Sequence, residues 1–304
     1  MKNVTLRQLR AFSVAAKHLS FARAALELNL SAPAVSMQIK ELEAEVGLPL
    51  FDREGRSVSL TTTGEYLLAH TQRMLTAFKD AQDMVARFRG LQGGSLSVGM
   101  VSTAEYFLPR LLALFRQEHP EVQISLKVGN REQLVKLMHA NEVDLAVMGR
   151  PPKELATRAE PFALHPHVFV TATNHPLTRL DHVPVEAVAR EGFIVREAGS
   201  GTRAALQEYF SEHHQDLRVA MEMNSNETIK QAVMAGMGVS LLSLHTIGLE
   251  LRMGLIATPE VDGLPVMRRW HVVNNLAKML SPPAEALRYF ILEHGEAFLA
   301  REFG

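Results

Sequence analysis

The sequence predicts an α/β domain of two lobes, preceded by a small all-α unit and one long helix. Three observations predict this arrangement. Apolar residues recur at helical spacing between Ser20 and Gly47, residues 62–91 contain no proline, and strands alternate with helices from about residue 95 onward. Hydrophobic residues make up 47% of the 304, enough for two or three cores. The predicted units are residues 1–61, 62–91 and 92–304.

The first unit contains two short helices joined by a tight turn. Ser20 is placed to cap the first helix, and Ser31 the second, whose first turn holds Pro33. The second helix has one apolar stripe at i, i+4, i+7 and i+11, formed by Val35, Ile39, Leu42 and Val46. The pattern is typical of a helix-turn-helix, whose second helix enters a DNA major groove, although a helical hairpin that only packs has the same spacing.

The flanking segments favour the DNA-binding interpretation. An amphipathic helix precedes the pair, and two short extended runs follow it around Arg53-Glu54-Gly55-Arg56, which predicts a β-wing. Guanidiniums at a wing tip suit phosphate contacts or a narrow minor groove. The predicted DNA-binding residues are those on the free face of the second helix and on the wing, namely Ser31, Ala32, Pro33, Ser36, Met37, Gln38, Lys40, Arg53 and Arg56.

This segment resembles the LysR-type transcriptional regulators. The matching residues are Leu9, Phe12, Ser20, Phe21, Ala24, Ala25, Leu28, Ser31, Pro33, Ala34, Ser36, Ile39, Leu42, Glu43, Gly47, Leu50, Phe51, Arg53, Leu60, Thr61 and Gly64. Many members of that family carry Gln and Arg where this chain has Ala32 and Met37. We therefore expect base reading to depend on Ser36, Gln38, the wing and DNA bending.

Residues 62–91 predict one long helix with an apolar face at roughly heptad steps. Its own small unit offers little to cover that face, so pairing with a second copy is expected, and packing along the second domain is the alternative. The resemblance favours pairing, because linker helices dimerise in this family. Gly90 to Ser95 reads as a hinge after the helix.

The remainder predicts two similar α/β lobes. Lobe I covers about 95–167 and 270–304, and lobe II about 168–269. In lobe I a helix near 104–119, capped by Ser102 and Thr103, joins the first two strands of a mostly parallel sheet with helices on both faces. Two separate strands, 158–162 and 167–172, follow. The arrangement is similar to the periplasmic binding proteins, in which ligands lie between the lobes at the carboxyl ends of strands.

Small, hydroxylated or amide residues precede several of the predicted helices. Four loop arginines accompany them, which predicts a cleft for a multiply anionic ligand. The predicted effector-binding residues are Ser102, Thr103, Asn130, Arg131, Gly149, Arg150, Arg196, Glu197, Gly199, Ser200, Gly201, Thr202 and Arg203. Each arginine has an alternative role in an ion pair with an acid such as Glu132 or Glu197, and the Gly-Ser-Gly-Thr run has one as a simple helix cap.

Four of these runs carry a closer resemblance. TAEYFLPRLL, GNREQLVKLM, DLAVMGRPP and FIVREAGSGTR resemble the RuBisCO-operon (CbbR-type) regulators within the LysR family. The resemblance implies control of carbon-fixation genes in response to a phosphorylated metabolite or NADPH. It also implies partners: double-stranded operator DNA, RNA polymerase, and further copies of the chain in a dimer and a tetramer. A LysR-type regulator of another operon with a different anionic effector is the alternative.

Composition sets further bounds. Residues 1–92 hold 12 Lys and Arg against 9 Asp and Glu, and the remainder 20 against 24, so the predicted DNA-binding part is mildly basic. There is no cysteine, export signal or long apolar run, which predicts a cytoplasmic, nucleoid-associated protein without a membrane segment.

The sequence offers no metal site or catalytic motif. His165-Pro-His167 and His213-His214 lack partners at metal-ligand spacing. We therefore expect neither metal nor cofactor, and we set aside an enzyme and an exported solute-binding protein.

Overall fold

The computed structural model describes residues 1, 3–54, 57–88 and 94–303. The chain forms two compact units. The N-terminal unit comprises residues 1–91 with 140–142, and the C-terminal unit comprises residues 92–139 and 143–304.

The N-terminal unit begins with three helices, α1 (Leu6–His18), α2 (Phe21–Leu28) and α3 (Ala32–Val46). As predicted, the Ser20 hydroxyl accepts a hydrogen bond from the backbone N–H of Arg23, and the Ser31 hydroxyl from that of Ala34. Asn29 adopts a left-handed conformation (φ 53°) that ends α2 and makes the tight turn.

The apolar stripe of α3 faces the core of this unit. Val35, Ile39 and Leu42 are fully buried, and Val46 is half-buried. Phe51 packs edge-to-face on Phe12 from α1, with ring centroids 5.6 Å apart. The two short helices are therefore fixed by burial of one face, which leaves the other face outward.

A two-stranded antiparallel wing follows, formed by β1 (Phe51–Glu54) and β2 (Ser57–Leu60), and it leads into α4 (Thr62–Phe88). The Glu43 carboxylate accepts hydrogen bonds from the backbone N–H groups of Leu50 and Phe51, which anchors the wing to α3. Gly64 is required at the start of α4, because a Cβ there would lie 2.2 Å from the Leu50 carbonyl oxygen.

The first half of the C-terminal unit has the predicted βαβαβ order. Its elements are β3 (Gly94–Val101), α5 (Leu108–Glu118), β4 (Val122–Gly129), α6 (Arg131–His139) and β5 (Leu145–Met148). Strand β3 pairs in parallel with both β4 and β5. A connection through a helix between neighbouring strands produces this parallel pairing.

The second half adds a long strand, a series of shorter elements and a closing helix. They are β6 (Thr157–Ala172), α7 (Val185–Ala189), β7 (Phe193–Arg196), α8 (Gly201–Glu212), β8 (Val219–Met223), α9 (Asn226–Met234), β9 (Ser240–Ser243), α10 (Gly248–Arg252), β10 (Ile256–Ala257), β11 (Val266–Asn275) and α11 (Pro282–Phe303). The large sheet has the order β10-β6-β11-β5-β3-β4, β9 also pairs with β6, and β7 pairs with β8.

Separate apolar clusters form the cores of the two lobes. In lobe I, α5 and α11 bury Phe107, Phe115 and Trp270 against the sheet. In lobe II, Phe169, Phe193 and Phe210 form the centre of another cluster beside α8. The long strands β6 and β11 are paired along their length and supply residues to both lobes.

Three sequence-based expectations about this unit are wrong. Ser102 and Thr103 do not cap α5; they lie in a short 3-10 turn, and α5 begins at Leu108 after Phe107. The two strands expected at 158–162 and 167–172 are the single strand β6. The sheet is mixed, because β6 and β11 run antiparallel to their neighbours.

The predicted hinge falls partly outside the described residues. Residues 90–93 are not among them, and Gly94 and Ser95 belong to β3.

Candidate functional site

The outward face of α3 carries the residues predicted to contact DNA. Ala32, Met37 and Lys40 are exposed, as are Ser31 and Pro33 at the start of the helix. Ser36 and Gln38 are half-buried. The helix therefore presents a continuous polar and apolar surface of the kind that enters a major groove.

The wing arginines cannot be placed in the same way. Arg56 and the Arg53 side chain lie outside the described residues. Their roles stay predictions.

A cavity in the C-terminal unit lies where loops from both lobes meet. The empty space in it and at its mouth, including open solvent, amounts to about 430 Å³. Its lining combines guanidiniums, hydroxyls and imidazoles with a few apolar groups. The lining residues are Val101, Ser102, Thr103, Asn130, Arg131, Met148, Gly149, Arg150, His165, His167, Arg196, Ser200, Gly201, Thr202 and Arg268.

Arg196 is buried at the end of β7 and links the lobes. Its Nε donates to Glu197 at 2.7 Å, its Nη1 to Asn226 Oδ1 at 2.6 Å, and its Nη2 to the Ser102 hydroxyl of lobe I at 3.0 Å. Asn130 of lobe I donates to the same Glu197. Because four of its five N–H donors are already used, Arg196 contributes charge and rigidity to the cavity more than free donors.

Arg131 and Arg203 also have acidic partners. Arg131 makes a bidentate pair with Glu154, with both N–O distances 3.1 Å, and donates to the Arg150 carbonyl. The predicted neighbour Glu132 pairs with Lys136 instead. Arg203 pairs with Glu222 and donates to the Arg196 carbonyl.

The cavity lining does not include three of the predicted effector-binding residues, Arg203, Glu197 and Gly199. The ion pair with Glu222 holds Arg203, and the pair with Arg196 holds Glu197. Gly199 instead provides a left-handed turn (φ 83°) before α8. Of the four loop arginines, Arg131, Arg150 and Arg196 therefore line one cavity, and Arg203 does not.

Arg150 differs from the other loop arginines. It is exposed at the cavity after β5, and no described residue accepts a hydrogen bond from its guanidinium. Its charge is thus available to a ligand.

Sequence reasoning missed Arg268, which lies on β11 opposite His165 of β6. Its guanidinium donates to the Gly201 carbonyl at 3.1 Å and to Glu208 at 2.7 Å. Burial lowers the pKa of Arg268 below its ordinary value. The predicted ligand arginines were those in loops. Arg268 was not among them, because it lies within a strand, where it is one of two adjacent arginines.

His165 and His167 are likewise buried in the cavity wall. Burial lowers the pKa of the His167 imidazole to about 3, and the pKa of His165 falls well below its ordinary value for the same reason. In the sequence, this pair was interpreted only as a possible catalytic or metal-binding pair, and neither role was predicted. Within residues 3–54, 57–88 and 94–303, no group of three His, Asp or Glu side chains could hold a metal ion.

The N-terminus of α8 completes the cavity. The Ser200 hydroxyl accepts a hydrogen bond from the Thr202 backbone N–H, and Gly201 opens the first turn. A helix N-terminus carries partial positive charge and free N–H groups. Together with Arg150 and Arg268 it creates a site suited to a small anion.

Comparison with known families accounts for both units. The family described as bacterial regulatory helix-turn-helix protein, lysR family, matches residues 6–65, and LysR substrate binding domain matches residues 89–296. The chain belongs to the LysR family. As a LysR-type protein it is a DNA-binding transcriptional regulator and not an enzyme, in agreement with the sequence prediction.

This LysR-type regulator is similar to curated proteins over its whole length. It is 47% identical to HTH-type transcriptional regulator CfxR of Cupriavidus necator, covering 100% of this chain and 96% of that protein. It is 43% identical to the RuBisCO operon transcriptional regulator of Allochromatium vinosum, covering 95% and 96%. The predicted resemblance to RuBisCO-operon regulators is confirmed.

A solved structure resembles the C-terminal unit of the LysR-type regulator. The regulatory domain of CcmR from Synechocystis, in complex with 2-PG, is 40% identical and superimposes with a TM-score of 0.63. The match covers 66% of this chain and 96% of that domain.

The described part of the chain contains no helix whose length and apolar character would allow it to span a membrane.

Proposed function

We propose that this LysR-type regulator controls carbon-fixation genes, including a RuBisCO operon, in response to a small phosphorylated metabolite. The observation that carries the operon assignment is the 43–47% identity, along almost the entire chain, to CfxR and to a RuBisCO operon regulator. Relatives with this coverage share both the DNA-binding unit and the effector unit. The target genes and the signal are therefore proposed together.

The effector class is inferred from the cavity. Arg150 offers a guanidinium without a described partner, Arg268 a half-buried one, and α8 its N-terminus. Planar guanidiniums and helix N-termini bind phosphate well, because they provide several convergent N–H donors. The related CcmR domain was solved with 2-PG, which makes 2-PG the first ligand to test.

The DNA side of the proposal uses the free face of α3 and the wing. Ala32, Met37 and Lys40 reach bases and phosphates in the major groove, with Ser36 and Gln38 behind them. Arg53 and Arg56 contact the backbone or minor groove. Exposed apolar residues on α4, including Met74, Phe78 and Val85, pair with a second copy, and two such dimers form the tetramer.

The regulatory step follows from the link between the lobes. Ser102 and Asn130 of lobe I contact Arg196 and Glu197 of lobe II beside the cavity. A ligand that binds both lobes draws them together, which alters how the C-terminal units pack within the tetramer. The spacing and bend of the operator then change, and RNA polymerase responds.

Calorimetry on the full chain tests the effector class. We expect 2-PG to bind the wild type, and Arg150→Gln to weaken binding at least about tenfold, since a charge-assisted hydrogen bond is lost. Arg203→Gln is the matched control, because Arg203 pairs with Glu222 outside the cavity lining, and it should bind normally. Equal losses in both variants would reject the placement of the ligand at Arg150. Binding of NADPH but not of 2-PG would reject a small phosphorylated metabolite as the effector.

Gel-shift assays test the operon assignment. DNA from upstream of the RuBisCO operon should be bound in preference to an unrelated promoter of equal length. Equal affinity for both DNAs would reject the target genes while leaving the family assignment intact, and would favour a different metabolic operon.

A further inference from the structure

His165 is a buried imidazole with no hydrogen-bond partner. Only 3% of the residue is exposed, and neither ring nitrogen is bonded to any group in the part of the chain that the structure describes. The residue lies on β6, directly opposite Arg268 of β11, and lines the cavity. Buried polar atoms without partners are uncommon and costly, so a ligand that supplies the partner is favoured.

Among the described residues, two rings next to His165 have hydrogen-bond partners, whereas His165 has none on either nitrogen, and His271 lacks one on Nδ1. Trp270 Nε1 donates to His245 Nδ1 at 3.1 Å, and His167 Nδ1 is 3.2 Å from the His165 carbonyl oxygen. The His165 ring itself stacks on Trp270, with centroids 3.7 Å apart and planes inclined by 17°. Packing therefore fixes the orientation of the ring while leaving its nitrogens unused.

Gly149 forms the cavity wall beside this ring. A Cβ at Gly149 would lie 2.7 Å from His165 Nδ1. Because Gly149 has no side chain, only its backbone lies between this ring edge and the border of the cavity. Arg150, the next residue in the chain, lines the same cavity as His165.

The charges around His165 favour its neutral form in the empty cavity. Burial lowers its pKa most, followed by the charges of His167 on the same strand, His245 after β9, and Arg268 and His271 on β11. Arg150 adds a further positive charge at the rim. A dianion entering the cavity reverses this balance, since it attracts a proton to the nearest acceptor nitrogen.

We propose that His165 is a ligand-binding residue that takes up one proton from solvent when a phosphorylated ligand enters, so that ligand affinity depends on pH. The proposal rests on the proposed function, which places an anion in this cavity. The protonated ring donates a hydrogen bond to a ligand oxygen. The negative charge of the ligand compensates the positive charge of the ring.

The sign of the pH effect follows from linkage. The complex binds more protons than the free protein at any pH between the low pKa of His165 in the empty cavity and its raised pKa in the complex. Affinity therefore rises as pH falls, by at most about tenfold per pH unit for one proton. Above pH 7 a phosphate monoester is already mostly dianionic, so its own titration contributes little there.

Calorimetry at pH 7.0, 7.5 and 8.0 tests the proposal on the full wild-type chain with 2-PG. Titrations in buffers of different ionisation enthalpy count the protons taken up. We expect up to one proton per ligand, and a dissociation constant that increases severalfold from pH 7.0 to 8.0. His165→Gln should bind more weakly and with little pH dependence, whereas His182→Gln, at an exposed site, should behave as wild type.

The outcomes separate this proposal from the proposed function. Binding of 2-PG without proton uptake would overturn the role of His165 and leave the effector class standing. Proton uptake that persists in His165→Gln would show that another group takes up the proton. That result would also overturn the role of His165. If neither 2-PG nor another phosphorylated metabolite binds, the effector class itself fails, and this inference fails with it.

A measurement on the wild type avoids any effect of substitution on folding. With 15N-labelled histidine, the His165 ring nitrogens should move to imidazolium shifts when 2-PG is added at pH 7.0. Shifts that remain those of a neutral ring in the saturated complex would contradict the proposal.

Discussion

At the scale of single residues, the partners of the arginines decide what the cavity is able to bind. Arg131 and Arg203 pair with Glu154 and Glu222, which lie 23 and 19 positions away in the chain. Pairs at such separations leave no local pattern in the sequence. The sequence therefore predicted the positive charge of the cavity but not which guanidinium is available to a ligand. Among the described cavity arginines, Arg150 is the one without an acidic partner, and it was anticipated; Arg268, which pairs with Glu208, was not.

One pair of variants on α3 separates folding from DNA contact. Ile39→Ala removes a fully buried side chain and should reduce the free energy of unfolding by about 2–5 kcal/mol. Met37→Ala, at an exposed site two residues away, should change it by less than about 0.5 kcal/mol while weakening operator binding. Urea denaturation and gel shifts on both variants measure the two effects. Operator binding by Met37→Ala that equals wild type would remove Met37 from the interface.

At the scale of elements, local signals predicted the helices well because each is specified within its own segment. Ser20 and Ser31 cap their helices as expected, and α3 buries the predicted stripe. Strand β6 was predicted as two strands, 158–162 and 167–172, and it contains Pro161 within the first of them and Pro166 between the two. Pro161 is tolerated because it pairs with His271 at an irregularity in the register with β11, which is where strands accept proline.

The connection between the lobes was also beyond local prediction. Tyr106, near the start of α5 in lobe I, donates from its hydroxyl to Glu227 of α9 in lobe II, with an O–O distance of 2.6 Å. Burial raises the pKa of Tyr106 above its ordinary value, so the hydroxyl keeps its proton. The two residues are 121 positions apart, and only the folded sheet brings them together.

Tyr106→Phe tests this connection. Loss of a hydrogen bond to a carboxylate should lower the unfolding free energy by about 1–2 kcal/mol, since Glu227 keeps Lys230 as a partner. Tyr289→Phe, at a site 57% exposed, is the control and should be nearly neutral. Thermal or urea unfolding of the full chain compares them. Equal stability of the two variants would show that the bond contributes nothing.

At the scale of the whole molecule, α4 follows the DNA-binding helices and wing and precedes the ligand-binding unit in the chain. The exposed apolar residues of α4 require a partner, and a second copy is the one proposed. Phe78→Glu should therefore shift the protein toward monomer, whereas Lys79→Glu, at the next exposed position, should leave the assembly unchanged. Sedimentation velocity measures both, and an unchanged assembly in Phe78→Glu would place the interface elsewhere.

The central claim is that a phosphorylated ligand in the cleft changes how the regulator holds its operator. DNase I footprinting on the promoter region of the RuBisCO operon, with and without 2-PG, tests it most directly. With 2-PG, the wild type should protect a different length of DNA or bend it differently. Arg150→Gln should bind the same DNA and give the same footprint with and without 2-PG. A footprint that 2-PG leaves unchanged in the wild type, or changes equally in Arg150→Gln, would contradict it.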